Sequence, residues 1–179
     1  MKLEPTPLEG AFAVVPEKLG DERGWFARTW DADLFAGSGL APVIVQANAS
    51  SNARAGTLRG MHFQRPPHGE PKLVRCVRGA AWDVAVDLRP DSPTYCSWHA
   101  LELSADNAVG FYIPAGMAHG FQTLTDDCEL LYLMGKEYVA EAADGVRWDD
   151  PAFGIDWPAA PEAGRTISER DLAFPDFQP

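Results

Sequence analysis

The sequence predicts an all-β domain, a sandwich or barrel, on three observations. Short apolar runs rich in Val, Phe, Tyr, Trp and Leu recur along the chain, broken by Gly, Pro, Asp and Ser at roughly regular intervals, the punctuation of short strands joined by turns. Ala81–Leu88 alternates strictly, with Asp83, Ala85 and Asp87 on one face and Trp82, Val84, Val86 and Leu88 on the other, the period of two that belongs to a strand. Helical periodicity is nearly absent.

The first strand reads as Ala11–Val15. Asp31–Gly37 reads as the one helix before the C-terminus, with Asp31 as its cap and Leu34 and Phe35 as its buried face. The remaining strands read as Val43–Asn48, Leu58–Phe63, Lys72–Val77, Ala80–Leu88, Tyr95–Leu103, Val109–Ile113, His119–Leu124 and Glu129–Lys136. From Arg147 onward, Asp-Asp-Pro, Trp-Pro and Ala-Ala-Pro elements mark a tail folded onto the domain. It ends in Ser168-Glu169-Arg170-Asp171, a cap and the start of a short helical turn. No repeat or long linker divides the chain, so residues 1–179 are expected to form one domain.

With 26 acidic against 15 basic side chains the net charge is -11, so a whole-surface nucleic-acid binder is excluded by phosphate repulsion, while a local arginine cluster still suits a small anion. No run approaches the roughly 18 apolar residues of a membrane helix, and no basic n-region with an apolar stretch opens the chain. The expectation is a protein without a membrane partner. The three cysteines, Cys76, Cys96 and Cys128, suit buried thiols in a reducing compartment, hence the cytoplasm.

Two of the four histidines carry informative contexts. Pro114-Ala115-Gly116-Met117-Ala118-His119 has the Pro-x-Gly-x-x-His form, and Gly56 precedes His62 at a matching spacing. These resemble the paired motifs of the cupin superfamily, which implies a jelly-roll, or double-stranded β-helix, barrel. Where a metal cupin has a second histidine, this chain has Gln64, and an amide is a poor ligand for zinc or iron. A degenerate site of His62, His119 and Glu70 stays open, but the expectation is proton chemistry without metal or cofactor. His68, in an apparent loop, and His99, on an alternating strand, suit solvated or packing roles.

Gly56-Thr57-Leu58-Arg59-Gly60-Met61-His62-Phe63-Gln64 and Lys72-Leu73-Val74-Arg75-Cys76 resemble the dTDP-4-dehydrorhamnose 3,5-epimerase family. So do Gly20–Phe26, Gln46-Ala47-Asn48, Trp82–Arg89, Ala118–Phe121, Tyr132, Gly145–Pro151 and Ile155–Pro158, all in family order. The resemblance implies epimerisation of a nucleotide-linked 4-keto-6-deoxy sugar at C3 and C5, carbons that flank the ketone and carry acidified hydrogens. That chemistry asks for a base, a group to hold the enolate oxygen, and an acid on the opposite face.

By the same resemblance His62 is the base, oriented by Asp171; Lys72 holds the enolate; and Tyr132 is the acid. On residue type alone Asp171 is equally a helix-start carboxylate, Lys72 a solvated strand end and Tyr132 a packing residue. His119 is a further polar contact or a satisfied buried histidine. Arg23, with Phe26 beside it, and Arg59 are implied at the diphosphate, where guanidinium forks suit phosphate oxygens. Gln46 and Asn48 are implied at the nucleotide sugar and Tyr138 at the base. The resemblance further implies a homodimer that exchanges N-terminal strands, the Arg23 region of one subunit completing the other's site.

Two positions depart from the family pattern. Leu133 follows Tyr132 where a lysine is usual, and Ala143 stands where a second glutamate is associated with the base. Two other readings use the same residues: a metal-dependent cupin dioxygenase or isomerase, and a non-catalytic cupin that only binds sugar nucleotides.

Overall fold

The computed structural model describes residues 1–178. Its strands are β1 (Lys2–Pro5), β2 (Phe12–Val15), β3 (Leu19–Asp21), β4 (Gly24–Phe26), β5 (Gln46–Asn52), β6 (Leu58–Gln64), β7 (Lys72–Arg78), β8 (Ala80–Asp87), β9 (Trp98–Ser104), β10 (Gly110–Ile113), β11 (Met117–Thr123), β12 (Cys128–Met134) and β13 (Ala143–Gly145). Two short helices, α1 (Ala32–Gly37) and α2 (Glu169–Leu172), complete the set with a 3-10 turn over Ala140–Ala142. The all-β expectation holds.

Two antiparallel sheets face each other. One has the order β1-β2-β10-β7-β12-β5, the other β13-β6-β11-β8-β9. Sequence neighbours such as β7 and β8 lie in different sheets, the sheet-to-sheet exchange of a jelly roll. Their inner faces share a core of Val74, Cys76, Phe111, Ile113 and Leu130 from the first sheet and Ala81, Ala85, Leu103 and Phe121 from the second. The alternation of Ala81–Leu88 resolves accordingly. Asp83 and Ala85 point inward, whereas Val84 and Val86 join Met61, Ala118, Val146 and Phe153 under the C-terminal tail.

The outer face of the first sheet is covered by α1. Asp31 caps it by accepting from the Leu34 N–H at 3.0 Å, and Phe35 is buried against Tyr112 with ring centroids 5.5 Å apart. Leu34 is only half-buried, so the apolar face predicted for the helix narrows to Phe35.

Several boundaries differ from the expectation. Val43 and Val45 are exposed and precede β5, which runs on through Ser50, Ser51 and Asn52. Tyr95–Ser97 is a turn rather than a strand start, because the Cys96 N–H donates to the Asp87 carbonyl at 2.8 Å. Cys96 lies in that turn, half-buried, whereas Cys76 and Cys128 are buried with sulfurs 3.8 Å apart. The strands β1, β3, β4 and β13 are short and carry no apolar alternation to announce them.

The β3–β4 hairpin forms a sheet of its own. Leu19, Trp25 and Phe26 are exposed on it, and the Arg23 guanidinium bonds the Asp21 carboxylate of the same hairpin. Among the described residues no helix is long and apolar enough to cross a membrane.

Candidate active site

At one end of the barrel the apolar filling gives way to a cavity of about 330 Å³, within the size range of small-ligand sites. Asn48 and Ser50 of β5, Arg59 and His62 of β6, Lys72 of β7, His119 of β11 and Tyr132 of β12 line it, with Tyr138 and Arg170 among the remaining residues. Both sheets therefore contribute to one chamber.

His62 and His119 are direct partners in the β6–β11 ladder. The strands approach closely because two glycines meet beside them: a Cβ on Gly60 would lie 2.6 Å from the Gly120 Cα. Each imidazole has its own carboxylate. His62 Nε2 is 2.8 Å from Asp171 Oδ1, and His119 Nε2 is 3.0 Å from both oxygens of Asp83. A carboxylate acceptor requires the proton on His62 Nε2, which leaves Nδ1 as the basic atom.

Asp171 reaches the barrel because Ser168 caps α2, its hydroxyl accepting from the Asp171 N–H at 3.1 Å. The carboxylate is buried and also accepts from the Gly60 N–H at 3.1 Å. Burial pushes its pKa up, but the bonds to His62, Gly60 and Ser168 outweigh this and hold it below the usual carboxylate range. The alternative of a surface helix-start carboxylate is thereby overturned.

Lys72 is buried, not solvated. Its ammonium is 2.9 Å from Glu70 Oε1 and the side chains are 6% and 10% exposed. Gln64 donates to Glu70 Oε2 at 3.1 Å and accepts from the Val139 N–H at 2.6 Å. The residue replacing a metal-cupin histidine thus ties Glu70 to the segment preceding β13. Glu70 is engaged with Lys72 rather than with the histidines, and among the described residues no three His, Cys, Asp or Glu side chains converge as a metal site requires. The geometry does not favour the metal-dependent reading.

Tyr132 projects from the sheet opposite His62. Its hydroxyl lies 3.2 Å from Ser50 Oγ, and its ring packs edge-on to His119 at 6.1 Å. Burial raises the phenol above its ordinary pKa, opposed by Ser50 and the charge of Arg59, so it stays protonated at neutral pH. Arg59 itself is oriented by Asn52 Oδ1, which accepts from Nε at 2.8 Å.

The cavity brings together Asn48, Arg59, His62, Lys72, His119, Tyr132 and Tyr138, with Asp171 bonded to His62. Gln46 stands just outside, its Oε1 accepting from the Tyr138 N–H at 2.7 Å. Arg23 and Phe26 lie on the separate hairpin and do not line the cavity. Leu133 packs on the outer face of its sheet with Leu73 and Tyr112, so its departure from the family pattern does not enter the chamber, whereas Ala143 does line it. Ser50, Asp83 and Arg170 were not singled out by the sequence, since an isolated serine, aspartate or arginine carries no motif. His68 stays in a turn, and His99 packs edge-on to Phe111 at 6.3 Å.

The family profile described as dTDP-4-dehydrorhamnose 3,5-epimerase matches residues 5–179. A curated relative of that name from Methanothermobacter thermautotrophicus is 47% identical over 167 residues, 93% of this chain and 89% of the relative. The chain belongs to the dTDP-4-dehydrorhamnose 3,5-epimerase family. It is an epimerase by that membership. The crystal structure of the Elizabethkingia anophelis family member superposes with a TM-score of 0.94 at 39% identity, covering 99% of this chain and 96% of that one. The Legionella pneumophila epimerase, solved in complex with dTDP-4-keto-L-rhamnose, superposes at 0.89 with 32% identity over 99% of both chains. The all-β barrel is therefore the jelly roll of these epimerases.

Proposed function

We propose that this chain converts dTDP-4-dehydro-6-deoxyglucose to dTDP-4-dehydrorhamnose by epimerisation at C3 and C5. The observation that carries the reading is the pairing of a carboxylate-held imidazole on one sheet with the Tyr132 phenol on the other, across one cavity.

His62 Nδ1 takes the proton from the carbon beside the ketone, and Asp171 stabilises the imidazolium that forms. Electrons from the broken C–H bond move onto the ketone oxygen, and the Lys72 ammonium stabilises that oxyanion in the enclosed chamber. Tyr132 then donates its proton to the opposite face of the same carbon. Imidazolium and phenolate return to their resting forms by exchange with solvent. The sequence repeats at the second carbon after the ring reorients. No step in this scheme calls for a metal or cofactor.

Arg59 takes the diphosphate, Asn48 and Gln46 the nucleotide sugar, and Tyr138, exposed at the chamber's edge, the base. Arg23 and Phe26 are supplied by a second subunit. The exposed Leu19, Trp25 and Phe26 of the β3–β4 hairpin support its exchange within a homodimer. Free thiols suit a cytoplasmic enzyme that feeds rhamnose into surface polysaccharide.

Mass spectrometry of the sugar nucleotide after turnover in heavy water tests the reading. It predicts one deuterium at each epimerised carbon, and a product without deuterium sinks it.

A further inference from the structure

The C-terminal tail brings more than Asp171 to His62. Beyond α2 it sets Phe174 beside the same imidazole, with ring centroids 6.1 Å apart and planes at 69°, the edge-to-face arrangement that aromatic rings favour. Room for this ring comes from Gly145. That residue is paired directly with His62 across β13 and β6. A Cβ there would lie 2.3 Å from Phe174 Cζ and 2.4 Å from Cε2, and 2.7 Å from the Met61 carbonyl oxygen. The place beside His62 that a side chain of β13 would occupy is thus filled from the tail.

A single hydrogen bond to Asp171 fixes one ring nitrogen, but the tilt of the ring plane between that bond and the Cβ tether is left to whatever packs against the ring. A second contact is needed to aim Nδ1. We propose that Phe174, seated on Gly145, is a positioning residue that fixes the plane of the His62 ring. The inference rests on the reading of His62 as the base. Arg170, which lines the cavity, leans on the Phe174 ring with its guanidinium carbon 5.9 Å from the centroid, so the test must separate effects on substrate binding from effects on His62.

The test is steady-state turnover of dTDP-4-dehydro-6-deoxyglucose by Phe174→Ala and Phe174→Leu, with the imidazole nitrogen resonances of His62 recorded in the substrate-free proteins. Loss of aim acts on the chemical step, so Phe174→Ala lowers kcat about tenfold or more with KM within about twofold. Phe174→Leu, which keeps an apolar wall, recovers most of that loss. A kcat for Phe174→Ala within about twofold of wild type overturns the proposal, as does a loss confined to KM. In the resonances, Phe174→Ala shifts or broadens the His62 nitrogens, and unchanged signals overturn the proposal. If the wild-type protein exchanges no substrate hydrogen, the base assignment falls, and the resonances still decide whether Phe174 seats the ring.

Discussion

Tyr132 and His62 project into one cavity from opposite sheets, Tyr132 from β12 and His62 from β6. Inversion at carbon needs a proton removed from one face and returned to the other, and facing walls supply that separation. Tyr132→Phe removes the returning acid but leaves the base. Hydrogen at the carbons beside the ketone should still exchange with solvent through His62 while the inverted product falls by about 100-fold or more, in the range of general acid–base contributions. Chiral analysis of the sugar recovered from heavy water checks this.

His62 and Asp171 act as a unit. His62→Ala should abolish both exchange and inversion, with kcat lowered about 1,000-fold or more. Asp171→Asn, which removes the carboxylate holding the Nε2 proton, should cost about 100-fold or more with a small change in KM. Comparing kcat and KM for the two variants checks the assignment. A normal kcat in Asp171→Asn would leave the carboxylate with a structural role only.

Lys72 meets Glu70 inside the wall of the chamber. Lys72→Ala should lower kcat by about 100-fold, the scale of losing one stabilising group at a developing oxyanion. It also leaves the Glu70 carboxylate buried without its cation, so the melting temperature should fall. The double variant Lys72→Ala/Glu70→Gln should regain stability without regaining activity. Thermal melts and turnover of the three proteins test both halves.

Asp87 is buried at the end of β8 and holds the turn that follows, accepting from Arg89, Ser92 and Thr94. Burial raises its pKa, but Arg89, Ser92 and Thr94 outweigh this and bring it to about 2. A folded value below the unfolded value of about 3.9 means stability that is complete above the unfolded pKa and is lost as pH falls from about 4 to about 2. Asp87→Asn should therefore cost about 2 kcal/mol at pH 7 and much less near pH 2. Denaturant melts at the two pH values measure the difference.

The barrel was legible where strands alternate. Asp83, Ala85, Val84 and Val86 fell on the faces that the period of two assigned them. β5 was misplaced because its inward residues, Asn48 and Ser50, line a polar chamber, so the strand lacks the apolar rhythm that marks its neighbours. Asp83 and Glu70 are side chains whose importance lies in a partner brought close by folding, His119 and Lys72. Phe174 belongs to the same class. Nothing in its sequence context points to the ring it touches.

The most direct measurement is proton NMR of dTDP-4-dehydro-6-deoxyglucose in heavy water with the wild-type protein and with His62→Ala, following the C3 and C5 signals separately. Both signals should disappear with wild type and neither with His62→Ala. Persistence of both signals with wild type, or their loss at an unchanged rate with His62→Ala, would contradict epimerisation through His62.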